Sequence, residues 1–154
     1  MWAEENRKMI EAAISIIAGS KSDADIVKRA EETLGKLELD YNIAYLSCHR
    51  NFEDLDIYLR NSKADVFIAI AGLSAQLPGY IAARTEKPVV GVPVNKAFSG
   101  LDSLLSIIQM PKGVPVACVG VDNPENGALL AAEILGVKDN AIAKRVHQYR
   151  RTKK

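Results

Sequence analysis

The sequence predicts a doubly wound α/β domain, in which a parallel sheet is covered by helices on both faces. Three observations carry that reading. Five apolar runs of strand length, rich in valine and isoleucine, recur along the chain; helix-periodic stretches separate them; and no repeat or low-complexity linker breaks the order. Continuously apolar runs, rather than alternating ones, are what strands buried on both faces require.

The first run is Ala13 to Ala18. After it Ile26, Val27, Ala30, Leu34 and Leu37 repeat at helical spacing, and Ser22, with Asp25 three residues on, is the expected N-cap. The second run, Tyr41 to Leu46, leads to a helix that Asn51 can cap and whose shared face carries Phe52, Leu55 and Leu59. The third, Val66 to Ala71, passes through a turn of small residues into a helix starting near Pro78, where proline suits the first helical position. After the fourth, Val89 to Val94, Asp102 or Ser99 starts a helix bearing Leu104, Leu105 and Ile108, which Gln109-Met110-Pro111 ends. The fifth, Val116 to Val121, precedes an apolar helix from Ala128 to Leu135. Gly136 separates that helix from a terminal one with Ile142, Val146 and Tyr149 on one stripe.

The elements assemble into a three-layer αβα domain with a five-stranded parallel sheet, flavodoxin/Rossmann-like, with a C-terminal helix. The expected boundaries are an N-terminal extension over 1–12, a single catalytic α/β domain over 13–138, and a C-terminal helix with a basic tail over 139–154. The greasy 128–135 helix, or a neighbour, is expected to pack against another subunit.

A chain of 154 residues, 48% of them hydrophobic, can bury a core of its own. Lysine plus arginine (20) nearly balance aspartate plus glutamate (19), so a net charge of +1 supplies no global field for nucleic acid. Any anion must be recognised locally. Cys48 and Cys118 are too few for a disulfide framework, and His49 and His147 are too few for a zinc-type cluster; a reduced, cytoplasmic, metal-free protein is expected. The charged opening Met1-Trp2-Ala3-Glu4-Glu5-Asn6-Arg7-Lys8 does not read as a secretory signal, and no apolar run approaches the ~18 to 20 residues of a membrane span. The basic tail, Lys144, Arg145, Arg150, Arg151, Lys153 and Lys154, reads as cations at a helix C-terminus rather than as a surface for nucleic acid or membrane.

In an open parallel sheet, ligands bind beyond the carboxyl ends of the strands, beside exposed backbone N–H groups. Gly19-Ser20-Lys21-Ser22-Asp23 sits there after the first run. Gly19 permits a tight turn, the Ser20 and Ser22 hydroxyls with the helix-start N–H groups can receive phosphate oxygens, and Asp23 can accept from a ribose diol. An ordinary strand-to-helix turn needs the same residues. The segment lacks both the three-glycine dinucleotide pattern and the glycine-lysine-threonine ending of a Walker loop, which disfavours NAD and ATP.

Ser47-Cys48-His49-Arg50 ends the second run. A guanidinium at Arg50 can hold a phosphate through a two-point fork while His49 moves protons near neutral pH. The alternative has His49 filling the turn and Arg50 pairing with Asp54. Adjacent residues on an extended chain point apart, so Cys48 reads as a packed side chain rather than a thiolate activated by His49. After the third run, Ala71-Gly72-Leu73-Ser74-Ala75-Gln76-Leu77-Pro78-Gly79 lets a ligand approach the backbone and can cradle a ring or a carboxylate.

Taken in order, Gly-Ser-Lys-Ser-Asp at 19–23, Ser-Cys-His-Arg at 47–50, the 71–79 segment, Gly-Val-Pro-Val at 91–94 and Ser-Gly-Leu-Asp-Ser-Leu-Leu-Ser-Ile-Ile-Gln-Met-Pro at 99–111 resemble the aminoimidazole ribonucleotide carboxylase/mutase family of purine biosynthesis. The match runs from about Ile14 to Leu135. Arg50, where the branch using dissolved CO2 has lysine, is similar to the mutase branch. The resemblance implies an isomerase that interconverts N5-carboxyaminoimidazole ribonucleotide and its isomer carboxylated at ring carbon C4, without metal, ATP, biotin or any other cofactor. It implies His49 as general acid/base, and Ser20, Asp23 and Arg50, helped by Gly19, Ser22, Ser47, Ala71, Gly72, Gln76 and Leu77, as the substrate-binding set. CO2 is the trapped intermediate, and the assembly it implies is a homo-octamer.

Four positions depart from the family pattern: Cys48 for the usual alanine, Gln76 for the usual histidine, and Asn51 and Ser74 for the usual threonine and small residue. Glutamine can donate and accept hydrogen bonds but cannot shuttle a proton. The alternatives are a carboxylase or decarboxylase of a related nucleotide, or a non-catalytic or altered-substrate nucleotide-binding paralogue.

Overall fold

In the computed structural model, which describes residues 11–153, five parallel strands form one sheet in the order β2-β1-β3-β4-β5. The strands are β1 (Ile14–Ala18), β2 (Tyr41–Tyr45), β3 (Val66–Gly72), β4 (Val89–Val94) and β5 (Ala117–Cys118). The helices are α1 (Ala24–Lys36), α2 (Phe52–Asn61), α3 (Leu77–Ala82), α4 (Leu101–Ile108), α5 (Pro124–Gly136) and α6 (Asn140–Arg151). Most of the expected 1–12 extension lies outside the described residues.

Alternation along the buried strands sorts the side chains into two layers. Ile14, Ile16 and Ala18 of β1, Val66, Ile68 and Ile70 of β3, and Val90, Val92 and Val94 of β4 face α1 and α5 through Val27, Ala30, Leu34, Ala128 and Ala131. Ile17, Phe67, Ala69, Ala71 and Val89 face the other way, against Leu55 and Tyr58 of α2, Leu77 and Ile81 of α3 and Ile107 of α4. Fully burying one such Ile or Leu contributes roughly 1.5–3 kcal/mol, so both faces are held by the same hydrophobic term. Two strand residues among those described are buried and polar: Ser15, whose hydroxyl meets the buried Tyr58 hydroxyl at 2.7 Å, and Asn42, whose Oδ1 accepts from Ala12 N–H at 2.9 Å. On β4, α5 packs close: a Cβ on Gly127 would stand 2.8 Å from Val92 Cγ2.

Within the chain the apolar 128–135 segment buries Ala128, Ala131 and Ala132 and leaves Leu129, Leu130, Ile134 and Leu135 half-buried. It lies between the sheet and α6, where Ala132 joins Leu37, Ile142 and Val146 in a third cluster. Among the described residues an exposed apolar stripe also lies on α4, where Leu101, Leu105 and Ile108 are exposed at i, i+4 and i+7 beside Phe98.

Several local expectations are corrected. Ser22 does not cap the first helix. Its N–H donates to Ser20 Oγ at 3.1 Å, and Ser20 caps a 3-10 turn over Lys21–Asp23 that runs into α1. Asn51 occupies the N-cap position of α2 without a capping bond, because its Oδ1 accepts from Ser47 N–H at 2.6 Å. Neither Asp102 nor Ser99 caps α4; Gly100 does, in the left-handed region, and the Ser103 hydroxyl sits between Gly100 O and Val94 O at 2.9 and 3.0 Å. The fifth run forms only a two-residue strand, after which Val119 and Asp122 N–H groups keep single bonds to Gly91 and Pro93 of β4. Among the described residues no helix is long and apolar enough to cross a membrane.

Candidate active site

Strand order 2-1-3-4-5 reverses direction between β1 and β3, and beyond the carboxyl ends of such a pair the sheet opens a crevice. A cleft of about 540 Å³ lies there. Four chain segments line it: Gly19, Ser20, Ser22 and Asp23 after β1; Ser47, Cys48, His49 and Arg50 after β2; Ala71 to Gln76 from the end of β3 onward; and Lys96 after β4. Ten of the eleven residues that the sequence nominated line this one cleft: Gly19, Ser20, Ser22, Asp23, Ser47, His49, Arg50, Ala71, Gly72 and Gln76. The exception is Leu77, whose side chain is 2% exposed and turned into the core. It is apolar and begins α3, so its side chain supports the floor rather than the wall.

The 47–51 turn is pinned from both ends, since Ser47 N–H donates to Asn51 Oδ1 and Asn51 N–H donates to Ser47 O at 3.1 Å. Within it the Ser47 hydroxyl accepts from the His49 and Arg50 N–H groups at 3.3 and 3.4 Å. Ser47 is buried and orients its neighbours. Arg50 does not reach Asp54: its Nη2 donates to Gly19 O at 2.7 Å, which ties the β1 and β2 turns together and puts the guanidinium beside Ser20. His49 Nε2 meets Gln76 Oε1 at 2.6 Å, joining the β2 turn to the β3 turn.

Asp23 and Lys96 close the remaining side. The Asp23 carboxylate is 6% exposed, and the Lys96 ammonium stands 2.9 Å from its Oδ1, as a charge contact rather than an aligned hydrogen bond. Glycine is needed at position 72 for this contact, since a Cβ there would stand 2.7 Å from Lys96 Cγ and 3.2 Å from Val94 O. Sequence reasoning missed Lys96. The available signal was its place two residues beyond the end of β4, where the binding edge of a parallel sheet lies.

Cys48 packs on the core beneath the turn. Burial pushes its thiol up, against a smaller downward pull from its own backbone N–H and from Arg84, so the thiol form is favoured and a nucleophilic role is not. Below it Tyr80 and Arg84 brace α2: Tyr80 OH and Arg84 Nε both donate to Asp56 Oδ1, at 3.0 and 2.7 Å, and the guanidinium lies 3.4 Å over the Tyr80 ring. A larger hollow of about 630 Å³ opens between α5 and α6, lined by Val119, Leu129, Leu130, Tyr149 and charged side chains. Its carboxylates, Glu125 and Glu133, lie on one helix, whereas the smaller cleft gathers the ends of β1, β2, β3 and β4.

Comparison with known proteins decides the family. The AIR carboxylase family model matches residues 13–154. The chain belongs to the AIR carboxylase family. Among family members named N5-carboxyaminoimidazole ribonucleotide mutase, that of Methanocaldococcus jannaschii is 51% identical over 137 residues, covering 89% of this chain and 87% of its own. That of Pyrococcus abyssi is 48% identical over 141 residues, covering 89% and 81%. The crystal structure of Treponema denticola PurE superposes with a TM-score of 0.83 at 29% identity over 91% of this chain and 90% of that one. The α/β fold with a five-stranded parallel sheet is therefore the family's own, and the cleft at its switch point is the place to seek the family's chemistry.

Proposed function

We propose that this member of the AIR carboxylase family is an N5-carboxyaminoimidazole ribonucleotide mutase, acting in purine biosynthesis on the pattern of its named relatives. The observation that carries the reading is the convergence of His49, Arg50, Ser20 and Asp23 on one cleft. Arg50, already anchored on Gly19 O, offers its remaining N–H groups to a phosphate beside the Ser20 and Ser22 turn. Asp23 Oδ1, in contact with Lys96 but free of aligned donors, keeps acceptor capacity for a ribose diol. Gly72 and Ala71 leave the floor open for the flat imidazole ring.

The reaction needs one proton carrier. As the bond from the exocyclic nitrogen to the carboxylate carbon breaks, the His49 imidazolium gives that nitrogen a proton and CO2 is released. Ring carbon C4 then attacks the CO2, and the neutral imidazole removes the C4 proton, which restores the starting state. Protons balance over the cycle, so no cofactor is required. CO2 must stay beside the ring between the two steps, and the 71–76 turn is the wall that confines it.

The reading includes a cytoplasmic homo-octamer with sites at subunit borders. The exposed Leu101, Leu105 and Ile108 stripe and Phe98, 82% exposed, support association of copies. One observation favours the second reading, a nucleotide-binding paralogue without turnover: Gln76 stands where the family resemblance leads one to expect histidine. Incubation with N5-carboxyaminoimidazole ribonucleotide separates the two. Formation of the C4-carboxylated isomer without ATP or bicarbonate is expected; tight binding without isomerisation would reject the enzyme and leave the paralogue.

A further inference from the structure

The contact between Gln76 Oε1 and His49 Nε2, 2.6 Å long, settles more than an orientation. A carboxamide oxygen only accepts, so Nε2 carries a proton whenever the contact is made. The amide's other face, its NH2, suits only an imidazole with a bare Nε2 and repels an imidazolium, both of whose nitrogens are donors. The mutase cycle takes His49 through imidazolium and neutral imidazole in every turnover. Oxygen is the one face of the amide that serves both states without flipping.

Both ends of the contact are held by backbone. Gln76 O accepts Tyr80 N–H at 2.9 Å, the following Leu77 and Pro78 are buried at the start of α3, and the preceding Ala75, also buried, donates its N–H to Gly72 O at 3.0 Å. On the other side the Ser47 hydroxyl fixes the His49 backbone. Nδ1 makes no hydrogen bond among the described residues, which leaves it as the nitrogen able to exchange a proton with a ligand.

We propose that Gln76 is a positioning residue that locks His49 as the Nε2–H tautomer and makes Nδ1 the atom that gives and takes the substrate proton. The assignment of Nδ1 rests on the mutase reading; the lock itself does not. In the first step the Nδ1–H proton passes to the exocyclic nitrogen as its bond to the carboxylate carbon breaks and CO2 departs. In the last, the Nδ1 lone pair takes the proton from C4 once that carbon has bonded to CO2. The Nε2 proton stays throughout. A histidine at position 76 would bring a second titrating group to this contact; glutamine brings none, so a single proton is in play.

The test is ¹⁵N NMR of the histidine-labelled full chain, alongside steady-state kinetics. The neutral His49 ring is expected to show a pyrrole-type Nε2 and a pyridine-type Nδ1. Gln76→Glu keeps an acceptor oxygen at the same reach and should retain that pattern. Gln76→Met removes the acceptor and should give mixed tautomers, with kcat lowered about tenfold, the factor a neutral hydrogen bond is worth, and KM within about twofold. A pyridine-type Nε2 in the parent, or an unchanged tautomer in Gln76→Met, would overturn the lock. An unchanged kcat in Gln76→Met with scrambled tautomers would overturn the assignment of Nδ1. A parent chain with the Nε2–H pattern and no turnover would support the lock and count against the mutase reading, so the two failures are distinguishable.

Discussion

Replacing His49 by asparagine is expected to lower turnover by about 10²–10⁴-fold while nucleotide affinity stays within about threefold. The asparagine amide can still accept and donate near Gln76, so the contact between the two turns survives in part; what is lost is the group that is charged in one half of the cycle and neutral in the other. In the function proposed above, the phosphate and ribose contacts fall to Arg50, Ser20 and Asp23, which line the same cleft. Arg50→Ala supplies the contrast. It removes the phosphate fork and the tie to Gly19 O, so KM should rise far more than kcat falls. Product titration by calorimetry together with steady-state rates checks both, and equal loss of affinity in the two variants would contradict this division of labour.

Lys96→Met carries the second large effect, and it acts on stability as well as binding. Asp23 is 6% exposed and its charge is answered by the Lys96 ammonium at 2.9 Å. Breaking a fully buried pair from one side costs roughly 3–5 kcal/mol; the Lys96 side chain is 37% exposed, so water can reach the orphaned carboxylate and about 1–3 kcal/mol is the expected loss. Removing the charge as well, in Asp23→Asn with Lys96→Met, should return much of that stability while leaving nucleotide binding weak, because the ribose diol then meets a neutral amide with a single acceptor oxygen in place of a carboxylate. Thermal denaturation of the two singles and the double forms the cycle that checks it. Additive losses would mean that the two side chains do not act as a pair.

The fold was legible because burial on both faces writes itself into the sequence as unbroken Val/Ile runs. β4 matches its run, Val89 to Val94, residue for residue. β5 was overread for the same reason: Val116 to Val121 is apolar enough for a central strand, yet it lies at the sheet edge with one neighbour, where only Ala117–Cys118 pairs regularly. For 128–135 a sequence shows that an apolar helix must be covered but not by what: the sheet and α6 bury Ala128, Ala131 and Ala132, while Leu129 and Leu130 line the hollow between α5 and α6.

At the site, residues next to a strand end were readable and their partners were not. Gly19 to Asp23 and Ser47 to Arg50 follow strands directly, so adjacency found them. Lys96 enters through its long stem lying over Gly72, a contact between segments more than twenty residues apart that no local pattern records. Asn51 and Ser22 were assigned as helix caps because helix starts favour their side chains, whereas tertiary geometry uses Asn51 to hold the Ser47 N–H and places Ser22 as donor to Ser20.

A crystal structure of the protein with the C4-carboxylated ribonucleotide bound tests the central claim most directly. The account predicts the phosphate against the Ser20 and Ser22 turn and the Arg50 guanidinium, the ribose hydroxyls on Asp23, and the imidazole ring within hydrogen-bond reach of His49. A nucleotide seated in the hollow between α5 and α6, or one in the cleft with His49 turned away from its ring, would contradict it.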